Sequence, residues 1–239
     1  MSIPPRAASA LPFLAVLFSA CGDGAQPAAP LSPAPSISEF AASRSNPYFP
    51  LVPGPVYRYD VVTDQGTEID SFFVTTATKV ILGVTTTVVH DQVWANGQIV
   101  EDTFDWYAPD SQGNVWYFGE DSKKFKNGEL IGTEGSWEAG KNGARQGIIM
   151  KGYPKVGDGY RQEYSPGVAE DKAQVVSLNE SITVPYGSFK ECLKTQEWTP
   201  LDPDFVTEKI YCRGIGEVNS VRVRGSGHEV SVLTSIATY

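Results

Sequence analysis

Between Glu101 and Glu138 the sequence carries nine carboxylates, at positions 101, 102, 105, 110, 120, 121, 129, 134 and 138. Three of the five tryptophans, Trp106, Trp116 and Trp137, fall in the same stretch, and only Lys123, Lys124 and Lys126 oppose the acids. Two chemistries suit such a mixture. Paired carboxylates held across a cleft can hydrolyse a glycosidic bond, one as acid and one as base or nucleophile. Asp105, Glu120, Glu138 and Glu163 are the candidates for that role. Alternatively, aromatic walls with a few placed polar groups make a small-ligand pocket, with sugars and cations both suited to it. Trp106, Tyr107, Trp116, Tyr117, Glu120, Trp137 and Glu138 are the candidate lining. Binding without catalysis needs less of the sequence and is the leading expectation; a glycosidase-like hydrolase is the alternative.

Other chemistries find less support. Asp110, Asn114 and Asp121 offer oxygen ligands near a tight turn, but without the alternating spacing of a calcium loop. An Asp that stabilises its own turn accounts for them equally well, so no metal is expected. Two histidines exclude a three-His zinc site, and three scattered cysteines exclude a CxxC pair. There is no G-x-S-x-G elbow, and Ser226 and His228 are neighbours in sequence only. Gly214-Ile215-Gly216 lacks the third glycine and the following helix of a dinucleotide site, so no cofactor is expected. A net charge of −9 argues against nucleic acid as a partner.

Three runs stand in order: Asn46-Pro47-Tyr48-Phe49-Pro50-Leu51-Val52-Pro53-Gly54, then Asp105-Trp106-Tyr107-Ala108 through Asp110 and Gly113-Asn114-Val115-Trp116-Tyr117-Phe118-Gly119-Glu120, then Gly135-Ser136-Trp137-Glu138-Ala139-Gly140. This order resembles a family of uncharacterised secreted or lipid-anchored bacterial β-rich proteins. The resemblance implies one domain starting near Asn46 and brings no activity with it.

The elements that must hold these residues are strands. β-branched and aromatic residues alternate with polar ones, bounded by Gly and Asn, and helical periodicity is scarce. The strand signals are Val56–Val61, Glu68–Thr76, Thr85–Trp94, Ile99–Tyr107, Asn114–Gly119, Gln174–Leu178, Phe189–Trp198, Thr207–Cys212, Val218–Val223 and Glu229–Ala237. Asp64-Gln65-Gly66, Asn96-Gly97, Gln112-Gly113-Asn114 and Asn127-Gly128 read as hairpin turns. Short turns join antiparallel neighbours, so the fold class is all-β, an antiparallel meander. So many strands must hide their edges by closing into a barrel-like form or stacking as a two-sheet sandwich. Period-two alternation puts Phe104 and Trp106 on one face and Thr103, Asp105 and Tyr107 on the other. An aromatic core face and a solvated acidic face are expected. Cys192 and Cys212 fall in two neighbouring strands, and a disulfide between them suits an oxidising compartment.

The first residues read as an address. Residues 1–20 have one charge, Arg6, then an apolar run over Leu11–Phe18 and the small Ser19-Ala20, the layout of a signal peptide. The run is too short to span a bilayer. Leu17-Phe18-Ser19-Ala20-Cys21 resembles the lipobox of bacterial lipoproteins, which implies lipidation of Cys21 and a membrane as partner. Where a cell has two membranes, Gly22 in place of Asp points to the outer one. Residues 21–45, rich in Ala, Pro and Ser, read as a tether, and 46–239 as a single β domain. The expected protein is exported to the cell envelope or secreted. It binds a small molecule, a carbohydrate or an envelope protein, or serves as an accessory or structural component.

Overall fold

The computed structural model describes residues 33–238. The signal peptide and Cys21 lie outside the described residues. The chain is all-β and antiparallel, and its strands fall into two five-strand meanders. The first comprises β1 (Pro55–Thr63), β2 (Gly66–Ile81), β3 (Val84–Ala95), β4 (Gln98–Pro109) and β5 (Val115–Lys126). The second comprises β11 (Lys172–Val184), β12 (Gly187–Thr199), β13 (Asp202–Cys212), β14 (Gly216–Arg224) and β15 (Glu229–Thr238). Between them run the short β6 (Glu129–Gly132), β7 (Trp137–Glu138), β8 (Arg145–Met150), β9 (Gly159–Arg161) and β10 (Glu163–Tyr164).

Two joints curl these into one barrel-like sheet rather than a sandwich. β1 pairs with β15, so the first and last strands form a seam with Pro55 opposite Thr238. On the other side one short segment bridges the gap. Its first half, β9, pairs with β11, and its second half, β10, pairs with β8, which in turn pairs with β5. The expected Asn96-Gly97 and Asn127-Gly128 turns both have positive φ at each residue, as a two-residue hairpin requires. The β2–β3 turn does the same with Leu82-Gly83, where nothing in the residue type announces it.

The packed body starts before Asn46, which shortens the tether read over residues 21–45. Helix α1 (Ile37–Ala41) seats Phe40 edge-on against Trp116 and Phe118. Arg44 N then donates to Asp110 O at 2.9 Å. A single aromatic residue suffices because the outer face of β5 offers it a ready-made apolar seat. Asn46 staples the next stretch, its Nδ2 donating to Gly113 O and Lys151 O, while its Oδ1 accepts from Tyr48 N. Phe49 and Pro50 then turn inward over one end of the barrel.

Cys192 and Cys212 form a disulfide between β12 and β13. It sits in a second apolar cluster with Val184, Ile210, Val218 and Leu233. Closing a loop of 20 residues in the unfolded chain contributes about 3 kcal/mol in the entropy model. Reduction, or Cys192→Ala with Cys212→Ala, is expected to lower the unfolding free energy by that amount, read by urea titration. No change would mean that the crosslink does not restrict the unfolded chain.

Candidate functional site

The structure reverses the expected polarity of the central hairpin. Thr103, Asp105 and Tyr107 do not face solvent; they point into the barrel, and Asp105 is only 6 % exposed. Phe104 stands on the outer surface, stacked on His90, whose Nε2 lies 2.6 Å from Asp102. Trp106 and Trp116 are buried as well, on the outer side. The Lys79 ammonium lies 3.2 Å over the Trp106 ring, while Trp116 donates to Asp110. Alternation separates two faces of a strand correctly but does not say which one is concave. Here a curled sheet buries the polar face and an N-terminal segment covers the apolar one.

Inside the barrel is a chamber of about 300 Å³. Six carboxylates line it: Asp70 from β2, Asp91 from β3, Glu101 and Asp105 from β4, Glu120 from β5 and Glu217 from β14. One cation, Lys209 from β13, opposes them, at 3.5 Å from Glu217 and 3.6 Å from Glu197. Rings complete the wall. Phe72, Phe49 and Tyr107 run in contact along it, and behind Tyr107 the Tyr117 ring stacks at 4.6 Å and meets Trp137 edge-on. A second chamber of about 350 Å³ continues beyond the layer of Asp70, Lys209 and Glu217, and takes in Glu68, Asp171, Glu197 and Glu229.

Burial sets the proton state of these acids. It raises Asp105 to about 7 despite the hydrogen bond from Tyr117. Glu120 goes to about 8 through burial and the neighbouring Asp105. Asp70 goes to about 7 through burial and Glu217. Asp91 and Glu163 are pushed well above the carboxylate range, again chiefly by burial. Hydrogen-bond geometry says the same. Tyr117 Oη is 2.5 Å from Asp105 Oδ1 and 2.9 Å from Glu120 Oε2. One hydroxyl proton can be donated to one of them only, so the other contact requires a protonated carboxyl that donates to the phenol oxygen. For Lys209, burial opposes its charge, but Glu217 and Glu197 outweigh that and hold its pKa above the ordinary lysine range.

The structure thus gathers Asp105, Tyr107, Tyr117 and Glu120, with Glu163 close by through Trp137, whose Nε1 donates to Glu163 Oε2 at 2.9 Å. Gly119 makes this possible. Its φ of 127° lets the strand change phase between Tyr117 and Glu120, and a Cβ there would stand 2.2 Å from Trp137 O. Glu138 is not part of the cluster; it lies on the outer side, paired with Lys79 and Lys141. Asp110 is fully occupied by its own turn, accepting from Gln112 N, Asn114 N, Asn114 Nδ2 and Trp116 Nε1. Asn114 Oδ1 accepts from Gly152 N, and Asp121 lies apart, beside Lys123. Among the described residues no group of three or more His, Cys, Asp or Glu is placed to hold a metal ion.

Asp70, Asp91, Lys209, Glu217, Tyr57, Tyr59 and Tyr211 line the chamber without having stood out in the sequence. The available signal was parity: Glu68, Asp70 and Phe72 share one face of β2, as Thr207, Lys209 and Tyr211 share one face of β13. Chemically, the chamber holds a large excess of acidic over basic side chains. Glycoside hydrolysis wants one carboxyl protonated and its partner held ionised. Here Asp105, Glu120 and Glu163 are all shifted the same way.

No family model matches the chain. No curated protein matches it either. Three solved structures are similar to it. A predicted exported protein of Bacteroides fragilis with a YmcC-like fold shares 17% identity at a TM-score of 0.47, over 80% of this chain and 99% of its own. A predicted lipoprotein of Parabacteroides distasonis shares 13% at 0.46, over 81% and 100%. A β-barrel-like domain of unknown function from Brucella abortus shares 11% at 0.44, over 79% and 98%.

Proposed function

We propose that the chain is an exported protein, lipid-anchored through Cys21, whose barrel binds a small organic cation. The ligand class is a primary amine or short polyamine. The observation that carries the reading is the chamber itself: six carboxylates against one ammonium, walled by aromatic rings, with Asp70 sharing a hydrogen bond with Asp91 while its buried Oδ1 has no hydrogen-bond partner among the described residues. An uncompensated carboxylate in a low-dielectric site is costly and is relieved by a proton or by a cation. Phe49, Phe72 and Tyr107 offer ring surface to the alkyl stem or the ammonium. The anchor rests on the lipobox-like run ending at Cys21 and on the Pro-rich residues after it.

Putrescine and spermidine are the probes. At 100 times its dissociation constant a ligand adds about 2.7 kcal/mol, or roughly 5–10 °C in unfolding midpoint for a chain of this size. The shift is expected with amines and absent with neutral sugars. It is expected to vanish in Asp105→Asn/Glu120→Gln, which keeps the shape and leaves neither group able to give up a proton to the amine. A sugar that stabilises where no amine does would overturn the reading.

A further inference from the structure

On the outside of the barrel the N-terminal segment and the loop around Tyr153 enclose an open cleft of about 750 Å³. Arg44, Lys155 and Arg213 all line it, together with Tyr48, Tyr153 and the single carboxylate Glu191. Two of the three cations are aimed by rings rather than by acids. Arg44 Nη1 donates to Tyr153 Oη at 2.6 Å, and the Arg213 guanidinium lies 4.6 Å over the Tyr48 ring. Among the described residues none of the three has a carboxylate within ion-pairing distance; eight other Lys and Arg side chains do, and the remaining unpaired cations, such as Arg58, Lys124 and Arg224, do not line this cleft. In a chain of net charge −9, three unpaired cations converging on one cleft is the reverse of what composition favours.

Exposed apolar surface lies at the cleft and beside it. Tyr153 and Val156, in the same loop as Lys155, are each 62 % exposed. A ring and an aliphatic side chain beside basic residues match a phospholipid interface, where headgroup phosphates meet the upper acyl chains. Position adds to chemistry. Arg44 lies just where the N-terminal segment joins the barrel, 23 residues after Cys21 in the sequence. From these observations we infer that this face docks on an anionic phospholipid surface, with Arg44, Lys155 and Arg213 on headgroup phosphates and Tyr153 and Val156 at the interface. The inference rests on the lipid anchor of the reading above and deepens it: the anchor supplies attachment, and the cleft sets which side of the barrel meets the bilayer.

The test uses the full lipidated protein with an environment-sensitive dye on Val156→Cys. It is reconstituted into vesicles of phosphatidylcholine alone or with phosphatidylglycerol added. Emission is expected to shift to the blue only with phosphatidylglycerol and to return at high salt, since screening shortens the field. Each cation removed as Gln is expected to lower the docked-to-free ratio about fivefold. The triple variant Arg44→Gln/Lys155→Gln/Arg213→Gln should therefore show no shift, and Arg44→Lys/Arg213→Lys should keep it. Equal emission on both vesicles, or a shift that survives in the triple variant, overturns the inference. Flotation with the vesicles is scored separately: protein that floats but does not shift overturns the docking face alone, and protein that does not float overturns the anchor and the docking face together.

Discussion

Raising the pH of the ligand-free protein from 5 to 8 is expected to lower its thermal unfolding midpoint by at least about ten degrees. The cause is the direction of the interior carboxyl shifts. Asp105 and Asp70 hold their protons in the folded state up to about 7, and Glu120 up to about 8. The unfolded chain releases the same protons near 4. Between those values the folded state carries more protons than the unfolded one, so stability falls as pH rises. Each such group loses about 1.4 kcal/mol per pH unit inside its window. Asp105 alone loses about 3 kcal/mol by pH 8, roughly ten degrees at 2–4 °C per kcal/mol, and Asp70 and Glu120 add in the same direction. Differential scanning calorimetry across buffers checks it. Asp105→Asn/Glu120→Gln is expected to flatten the profile and raise the midpoint at pH 8. A profile that is flat or rising from 5 to 8 in the parent protein would show the interior acids to be ionised at no cost.

The second large effect concerns the interior ammonium. Lys209→Met is expected to destabilise the fold by about 3–5 kcal/mol at pH 8, because it leaves Glu197 and Glu217 facing each other without a counter-charge. At pH 5 the cost should shrink, since the freed carboxyls can take up protons instead. Adding Glu217→Gln to Lys209→Met should recover at least half of the loss at pH 8, since it removes one of the two orphaned charges. Urea titration of the parent, the single and the double variant at both pH values reads all of this. A Lys209→Met protein within 1 kcal/mol of the parent at pH 8 would mean that the chamber is solvated well enough to need no counter-ion.

Much of the scaffold follows from local chemistry. The strands of both meanders show in the alternation, and Asn96-Gly97 and Asn127-Gly128 announce their hairpins. The stretch from β6 to β10 was not legible, because strands of two to six residues carry too few alternations to register. Phe40 reads as part of a tether from sequence because its partners, Trp116 and Phe118, lie some 76 and 78 residues away. Of the four carboxylates first singled out, Asp105, Glu120 and Glu163 share a neighbourhood and Glu138 does not. The difference arises at the Gly119 bulge and the two-residue β7 against it, where Trp137 and Glu138 part to opposite sides. Asp70, Asp91, Lys209 and Glu217 were missed for a different reason. A lone charge in an alternating strand reads as solvent-facing, and only the closure of the sheet turns that face inward.

The seam between β1 and β15 has a bearing on how the barrel is assembled. Neighbouring strands in each meander can zip as hairpins as soon as both are present. The seam joins residues at nearly opposite ends of the sequence, Pro55 to Thr238, and must bear the entropy of closing the longest loop in the molecule. Topologies dominated by such distant pairings fold slowly. Until the last strand arrives, β1 keeps one edge of unpaired amides and carbonyls, open to the wrong neighbour. The interior carboxyls, meanwhile, remain in water and ionised, so zipping the seam and loading the chamber with protons become the same late event.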